Sequence, residues 1–310
     1  MTIHKAGPTH IGKPKWLKTK IPTGQTYFEI KSDLRERKLA TVCEEAKCPN
    51  IGECWNTRTA TFMILGDTCT RACRFCHVKT GNPAGWLDPE EPAQVAASAA
   101  KMKLEYVVMT MVDRDDLPDG GAAHVARTVT ALRERNPGIK VELLVGDFRG
   151  STQAMNVILA TRPEVYAHNI ETVARLSPRV RDARANYTQS LRVLQEAKQQ
   201  AGYPVLTKSA LMLGLGETAP EIEQALDDLR AHGVDLLTIG QYMRPTKRHL
   251  AVKEWVPPEQ FEHWGNLART KGFLGVASAP LVRSSYRAKE FYLSAMDQIH
   301  ASRQTIPTAL

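Results

Sequence analysis

The sequence predicts an α/β protein built around a partial (β/α) barrel of six strands. From residue 60 onward, short apolar runs alternate with helical patterns and no internal repeat is present, which is typical of a parallel sheet covered by helices. A sheet of this length is either doubly wound or a barrel, and polar, unusual residues follow its apolar runs, as they do at the carboxyl-terminal rim of a barrel, which indicates one site formed by many loops. With 310 residues, 43% of them hydrophobic, the chain can bury the core of such a fold.

The chain divides into three predicted parts: an N-terminal arm (1–59), the barrel (60–278) and a C-terminal segment (279–310) with a terminal helix. In the arm, a helix is expected at about 26–39, because Tyr27, Ile30 and Leu34 share one face at helical spacing. The strands are expected at 60–65, 105–110, 140–145, 164–169, 204–213 and 235–243, with a further apolar run at 273–280. Helical patterns separate them.

Charge and composition limit the functional class. The net charge is +8 and the isoelectric point is about 9.2, which indicates either a solvated surface or one that attracts an acidic partner. No RNP motif, helix-turn-helix or zinc finger is present, so we expect no nucleic-acid partner. No run approaches the roughly 18 apolar residues of a membrane span, and the basic N-terminus lacks an apolar signal region. A cytoplasmic location without membrane attachment is expected, where disulfides are rare. The basic clusters are Lys5, Lys13, Lys15, Lys18 and Lys20; Arg179, Arg181 and Arg184; and Arg244, Lys247 and Arg248.

All six cysteines fall within 34 residues, as a C-x4-C-x5-C triplet (Cys43, Cys48, Cys54) and a C-x3-C-x2-C triplet (Cys69, Cys73, Cys76). Cys73 to His77 matches the haem motif C-x-x-C-H, but a third cysteine would then have no role. A structural zinc site needs four ligands, and each triplet has three. A [4Fe–4S] cube held by three thiolates keeps one iron open for a substrate or cofactor.

The second triplet, with Phe75 between its last two cysteines and a predicted strand before it, resembles the radical S-adenosylmethionine (SAM) superfamily. The resemblance implies that the open iron binds the amino and carboxylate groups of SAM. It also implies that one electron from the cluster cleaves SAM to methionine and a 5′-deoxyadenosyl radical, which removes hydrogen atoms from unactivated carbons.

Seven segments together resemble one family of that superfamily, the lipoyl synthases, from about Lys13 to about Phe291. These segments are CEEAKCPNIGECW, TCTRACRFCHVKTGNP, VDRDDLPDGG, HNIETV, LMLGLGE, QYMRP and RSSYRA. The resemblance implies that the first triplet holds an auxiliary [4Fe–4S] cluster, which supplies two sulfur atoms to carbons 6 and 8 of an octanoyl chain linked to a carrier lysine. The implied partners are octanoylated lipoyl domains of 2-oxoacid dehydrogenase E2 subunits or the glycine cleavage H protein, and a reductant of flavodoxin or ferredoxin type.

The auxiliary triplet lacks a fourth thiolate, and the family supplies a serine of the RSSY motif. The resemblance favours Ser285 as this ligand, with a catalytic role, while local sequence does not separate it from Ser284. A serine hydroxyl is a harder and weaker iron ligand than a thiolate, which suits a cluster that must later release its sulfides. Without the family, a serine pair that caps the next helix is the simpler interpretation.

Residues after the other strands are candidates for binding SAM. Phe75 is placed to contact the adenine, Asn169 and Glu171 suit the ribose or the ammonium, and Arg175 or Lys208 suits the carboxylate. The glycines Gly214 and Gly216 would let the backbone approach the ribose or adenine. Asp113 is placed in the same pocket. Together with Asp115 and Asp116 it could form a divalent-metal loop, although a network that orders the loop is favoured.

Other functions remain open. GLGETA (214–219), with Asp235 downstream, fits a dinucleotide-binding fingerprint, but it follows about the fifth strand rather than the first. Another sulfur-inserting radical enzyme with two clusters, resembling tRNA methylthiotransferase or biotin synthase, would share only the triplet at 69–76. A non-catalytic iron–sulfur electron carrier is the alternative outside the enzymes.

Overall fold

The computed structural model describes residues 12–19, 22–56 and 60–304, with side chains described up to residue 301. Lys5 and Lys20 of the basic arm lie outside the described residues. Within these ranges, no helix is long and apolar enough to cross a membrane.

Among the described residues, eight strands form one sheet, and two more form a small separate ladder. The strands are β1 (Ala40–Thr41), β2 (Thr61–Ile64), β3 (Thr68–Cys69), β4 (Lys79–Thr80), β5 (Tyr106–Met111), β6 (Lys140–Leu144), β7 (Val165–Ala167), β8 (Leu206–Leu213), β9 (Leu236–Gln241) and β10 (Gly275–Ser278). The large sheet has the order β1-β2-β5-β6-β7-β8-β9-β10, and β3 pairs with β4. Every pair in the large sheet is parallel except β1 with β2.

The described sheet is an open, partial barrel, as the sequence predicts, because β1 and β10 at its two edges do not pair with each other. Six parallel strands from β2 to β9 match the predicted runs, and the apolar run at 273–280 adds β10 as a seventh. All residues of β2 and β9 are buried, as expected for parallel strands covered on both faces.

Helices connect the strands and cover the sheet. They are α1 (Gln25–Glu36), α2 (Val42–Glu45), α3 (Ile51–Asn56), α4 (Glu91–Met102), α5 (Ala122–Arg135), α6 (Thr152–Ala160), α7 (Ser177–Val180), α8 (Tyr187–Gln200), α9 (Ala219–Ala231), α10 (Pro258–Thr270) and α11 (Ala288–Gln304). Local sequence sets several of their ends. Asn186 accepts the backbone N–H of Gln189 at the start of α8, and α4 ends at Lys103, whose φ is 54°.

Strand pairing and a buried carboxylate are among the contacts that attach the arm to the barrel. β1 continues the sheet through antiparallel pairing with β2. The buried carboxylate of Asp33 on α1 accepts the Ser98 hydroxyl of α4 at 2.6 Å and pairs with Arg37 at 3.0 Å and Lys101 at 2.9 Å. A buried carboxylate with three partners is well compensated for its lost hydration, so the arm has a defined position on the barrel.

The C-terminal segment contacts opposite ends of the sheet. Tyr292 and Ala295 of α11 are buried in a cluster with Val165, Leu206 and Leu236, the first residues of β7, β8 and β9. This helix therefore closes the amino-terminal end of the strands. The residues before it return to the carboxyl-terminal end, where the cysteines lie. The division into three parts stays a prediction.

Candidate active site

A cavity of about 660 Å³ lies at the carboxyl-terminal ends of the parallel strands. It is lined by residues that end or follow the barrel strands: Thr110, Met111, Leu144, Val145, His168, Asn169, Met212, Gly240 and Gln241. The same cavity is lined by Cys43 and Cys48 of the first triplet and by all three cysteines of the second. Cys54 is close enough to Cys43 and Cys48 that their charges raise its pKa. The fold therefore brings the two triplets to one chamber.

The loop that carries the second triplet presents its sulfurs to backbone N–H groups. Arg71 donates its backbone N–H to Sγ of Cys69 at 3.4 Å, and Asp182 donates to Sγ of Cys73 at 3.3 Å. The second of these donors comes from the basic loop after β7 and lies more than a hundred residues away in sequence. Backbone donors of this kind stabilise the thiolate form that binds iron.

The cysteines are free thiols with raised pKa values. Burial raises the pKa to about 11 for Cys43 and Cys76 and to about 12 for Cys54 and Cys73. Without metal, these groups are neutral at physiological pH, and bound iron would have to displace their protons. Such clustered, partly buried thiols fit a metal cofactor.

The spacing of the ligands is relevant to the kind of metal. Across residues 12–19, 22–56 and 60–304, no three His, Cys, Asp or Glu side chains converge as ligands to one metal ion do. In a cube, each thiolate binds a different iron atom, so the three cysteines of a triplet would hold three of its four irons.

An acidic network fixes the loop of the second triplet. The buried Arg71 guanidinium donates to Asp115 in bidentate fashion, with both distances 3.0 Å, and to Asp147 at 2.7 Å. Asp116 pairs instead with Arg114 at 2.8 Å. These carboxylates are engaged by arginines, which is the loop-ordering arrangement that the sequence favoured over a divalent-metal loop.

Asp113 differs from the neighbouring acids because it lines the cavity. Burial raises its pKa to about 6, and the nearest guanidinium nitrogen of Arg71 is 3.6 Å away. Gly146 leaves room for the carboxylate, since a Cβ at that position would overlap Asp113 Oδ1. Asp113 thus has the position expected of a pocket residue.

Two polar atoms in the cavity wall have no partner within the described structure. Asn169 donates its amide Nδ2 to Glu171 Oε1 at 3.1 Å, while its Oδ1 is buried and unsatisfied. Thr238 Oγ1 on β9 is also buried and unsatisfied, and both residues line the cavity. Buried polar groups are normally hydrogen-bonded, so these atoms fit a ligand with hydroxyl and ammonium groups. SAM carries both groups, and Thr238 was missed by the sequence analysis.

Arg181 is a buried cation that faces the same cavity. Its Nη1 donates to the hydroxyl of Ser190 at 2.7 Å, and among the described residues no carboxylate forms an ion pair with it. Burial raises the pKa of both Asp113 and Glu171, and the positive charge of Arg181 offsets part of that rise. The sequence analysis grouped Arg181 with surface charges, because burial by distant elements leaves no local signal.

The two cations predicted to bind the SAM carboxylate are engaged elsewhere. Arg175 is exposed, and its guanidinium donates to Glu221 at 2.9 Å. Lys208 is fully buried near the start of β8, where its ammonium contacts Glu142 at 2.6 Å. Neither residue lines the cavity. Arg181 is therefore better placed for a carboxylate than either of them.

Gly214 and Gly216 also lie outside the cavity lining. A Cβ on Gly214 would lie 2.5 Å from the Glu254 carbonyl oxygen, so this close approach is to protein rather than to a cofactor. A Cβ on Gly216 would make only an ordinary contact with Lys253 Cγ at 3.8 Å, and its φ of 106° explains the glycine. The loop N–H groups of Gly214 and Gly216 both donate to Glu217, at 2.9 Å and 3.2 Å. They are not available to a pyrophosphate. Asp235, the expected ribose acid, instead accepts the backbone N–H of Thr207 at 2.9 Å.

The remaining predicted residues reach the cavity. Phe75 lines it and packs against the core around β8 and β9. Ser284 and Ser285 both line it. The side chain of Asn50, between the first-triplet cysteines, donates to the Leu281 carbonyl at 2.7 Å and draws this segment to the auxiliary loop. The choice between the two serines stays a prediction.

Similar proteins agree with this arrangement. Residues 63–229 match the radical SAM superfamily, and residues 3–48 match the N-terminal domain of lipoyl synthase. The chain is 57% identical over 288 residues to lipoyl synthase of Thermus thermophilus, which covers 93% of this chain and 89% of that protein. It is 55% identical over 288 residues to the mitochondrial lipoyl synthase of Culex quinquefasciatus, covering 91% and 76%.

Solved structures with low sequence identity share the fold. HydG, a maturase of the [FeFe]-hydrogenase, gives a TM-score of 0.57 at 13% identity over 86% of this chain and 69% of that chain. The radical SAM enzyme HemN from Escherichia coli gives 0.50 at 14% identity over 74% and 57%.

The partial barrel, with its cysteine triplet at the mouth, is that of a radical SAM enzyme. Within that superfamily, the chain belongs to the lipoyl synthase family. Its cofactors are SAM and two [4Fe–4S] clusters.

Proposed function

We propose that the cavity is the reaction chamber in which this lipoyl synthase inserts sulfur at carbons 6 and 8 of a carrier-bound octanoyl chain. The observation that carries the proposal is that one cavity is bordered by two cysteines of the first triplet, all three of the second and the RSSY serines. Cys54, the remaining cysteine, lies near Cys43 and Cys48. When bound, the clusters and SAM supply the hydrogen-abstracting radical and the sulfur. The chain itself holds these groups apart, orients the substrate and excludes water.

In this assignment, Cys69, Cys73 and Cys76 hold the cluster that binds SAM. Cys43, Cys48 and Cys54 hold the auxiliary cluster, with Ser285 as its fourth ligand. A weaker oxygen ligand suits a cluster that is consumed as a sulfur source. Cysteines of both triplets line the cavity at the carboxyl-terminal end of the sheet, so the substrate chain can lie between the two clusters.

SAM has a complementary set of contacts on the barrel side. The Arg181 guanidinium would bind the carboxylate, and Asn169, Glu171 and Thr238 would bind the amino group and ribose hydroxyls. The raised pKa of the buried Glu171 reflects lost hydration, which hydrogen bonds from these ligand groups would offset. Phe75 is available to the adenine.

The octanoyl chain needs an apolar path that excludes water. The cavity wall includes the apolar side chains Met63, Val112, Leu144, Val145 and Leu211. An acyl chain is held there mainly by burial of its surface, at about 0.8 kcal/mol per methylene. Exclusion of water also protects a radical from side reactions.

The carrier would meet a basic surface at the rim of the cavity. Arg244 borders the cavity, and Lys247 and Arg248 beside it are exposed. The Arg244 guanidinium donates to the backbone carbonyl of His249 at 2.9 Å, and among the described residues it pairs with no carboxylate. Octanoylated lipoyl domains, of E2 subunits or the H protein, are typically acidic and would be attracted to this surface. The rate of carrier binding should therefore fall strongly with salt.

The reductant would approach the outer side of the loop that carries the second triplet. Arg184, with its side chain 44% exposed, pairs with Asp182, whose N–H contacts Cys73. Asp182 thus lies between Cys73 and the partly exposed Arg184, and Arg179 of the same loop is exposed, so this side suits a small acidic carrier of flavodoxin or ferredoxin type. A cytoplasmic location stays a prediction, in keeping with six free thiols.

Iron content and product analysis test the proposal. The anaerobically purified protein should contain about eight irons per chain, as two cubes of four. Replacing the first triplet by alanine should halve the iron, preserve SAM cleavage and stop sulfur insertion. Replacing the second triplet should also halve the iron but abolish SAM cleavage.

Other outcomes identify the alternatives. Turnover of an RNA or a biotin precursor, with no turnover of an octanoyl-lysine peptide, would assign the chain to another sulfur-inserting enzyme. A protein that takes up and releases electrons without cleaving SAM would be an electron carrier. Two clusters would be excluded if the protein contained a single zinc ion. They would also be excluded if it contained about four irons and lost all of them when either triplet was replaced.

A further inference from the structure

Arg283, the first residue of the RSSY motif, carries a positive charge that the described protein does not neutralise. It lines the cavity together with Ser284 and Ser285 and is partly accessible from it. Its Nη1 donates to the neighbouring Val282 carbonyl at 2.6 Å, and no ion pair joins it to any carboxylate among the described residues. Largely enclosed arginines are normally paired with a negative group, so an anion is expected here.

The neighbours of Arg283 indicate where that anion lies. The side chain of Asn50, two residues after Cys48, donates to the Leu281 carbonyl at 2.7 Å, which holds the segment that leads into Arg283 against the auxiliary cysteine loop. On the other side, a Cβ added to Gly240 at the end of β9 would lie 3.3 Å from Nη1. The guanidinium therefore lies between the carboxyl-terminal end of β9 and the auxiliary cysteine loop.

An iron–sulfur cube in this place would be the missing anion. Three thiolates and one serine alkoxide outweigh the positive charge of the iron–sulfide core, so the assembled cluster is negative. We propose that Arg283 is the counter-charge of the auxiliary cluster and donates N–H hydrogen bonds to its sulfur atoms. This role rests on the proposed function, but it concerns a residue that is not itself a ligand. Arg283 is therefore a positioning residue.

The expected effect is on the redox behaviour of one cluster only. Positive charge and hydrogen bonds to sulfur favour the reduced cluster, which is the more negative form. Removing the charge should lower the reduction potential of the auxiliary cluster. A tenfold change in the ratio of reduced to oxidised cluster corresponds to about 59 mV for this one-electron couple. We expect a change of that order.

The test uses the full chain with Cys69, Cys73 and Cys76 replaced by alanine, so that only the auxiliary cluster is present. Arg283→Gln and Arg283→Lys are introduced in this background, with Arg244→Gln as the control. Arg244 also borders the cavity but donates to the carbonyls of Lys247 and His249. Iron content, a redox titration followed by electron paramagnetic resonance, and the rate of iron extraction by a chelator are measured.

The charge proposal predicts that Arg283→Gln lowers the potential and speeds iron extraction, while Arg283→Lys and Arg244→Gln stay near the parent values. An unchanged potential in Arg283→Gln would overturn the proposal. If Arg283→Gln fails to retain iron, Arg283→Lys decides, since loss in both variants would show a requirement for shape rather than charge and would also overturn it. Failure of the two-cluster assignment is visible separately, because the parent variant would then hold no cube.

Discussion

The hydroxyl of Tyr286 donates to Oε1 of Glu53 at 3.0 Å and joins the C-terminal segment to the auxiliary cysteine loop. Tyr286 directly follows Ser285, and Glu53 directly precedes Cys54, so one hydrogen bond connects the neighbours of two proposed iron ligands. Because the bond is exposed, its stabilisation is small, about 1 kcal/mol or less. Its effect should therefore appear in the lability of the cluster rather than in folding.

Tyr286→Phe should loosen the RSSY segment without altering the radical half of the site. We expect a chelator to remove the auxiliary iron about two to five times faster, while SAM cleavage without the octanoyl substrate is unchanged. Lys289→Met is the control. Lys289 lies on α11 and forms an exposed ion pair with Glu105, away from the cysteines. Equal extraction rates for wild type and Tyr286→Phe would show that the hydrogen bond does not retain the serine ligand.

Gly240→Ala should displace the same segment by a different route. A Cβ at this position would overlap the carbonyl oxygen of Val282, and a backbone atom cannot move aside cheaply. We expect loss of about half of the iron, all from the auxiliary site, with SAM cleavage retained. Gly12→Ala is the control, because Gly12 has no neighbouring atom within 4 Å and is not among the glycines with a positive φ. Full iron content in Gly240→Ala would mean that residues 282–285 can shift and still bind the cluster.

Substitutions of Arg181 and Arg175 should affect the KM for SAM to very different extents. Loss of a charge-assisted hydrogen bond in an enclosed site costs about 1.5–3 kcal/mol, so Arg181→Gln should raise the KM for SAM roughly 10- to 100-fold. Arg175→Gln should change it less than about twofold, since Arg175 forms an exposed ion pair with Glu221. Circular dichroism checks that Arg181→Gln is folded, because Arg181 also donates to Ser190. The reverse ranking of the two variants would restore Arg175 as the carboxylate ligand.

The order of strands and helices was predictable because the apolar character of each run indicates that it is buried. Parallel strands covered on both faces are continuous apolar runs, and each predicted run contains a strand. The ends were less accurate: the helix expected at 26–39 ends at Glu36, where Lys38 takes a φ of 55°. The position of α11 was not predictable, since it depends on residues from three different strands that meet only in the folded sheet.

The cysteines of the site were predictable because one loop carries each triplet, and spacing along the chain records that chemistry. The residues proposed to contact SAM come from different elements, and whether each side chain faces the cavity depends on the folded sheet rather than on the local sequence. Lys208 and Met212 lie on the same strand, yet only Met212, near the carboxyl-terminal end, lines the cavity. Arg181 looks like one of many surface arginines until α8 supplies Ser190 as its partner.

Lys208 should prove to be a stability residue, because its ammonium and the Glu142 carboxylate form a fully buried pair at 2.6 Å. Tyr106 donates to the other Glu142 oxygen at 2.7 Å. Lys208→Met would leave the carboxylate without a counter-charge, and such losses cost about 3–5 kcal/mol. We expect a lower thermal inactivation temperature and faster proteolysis, with the KM for SAM unchanged. Adding Glu142→Gln to Lys208→Met should recover part of the loss, since it removes the unpaired charge. A raised KM for SAM with unchanged thermal stability would instead place Lys208 in the binding site, against the position that β8 gives it.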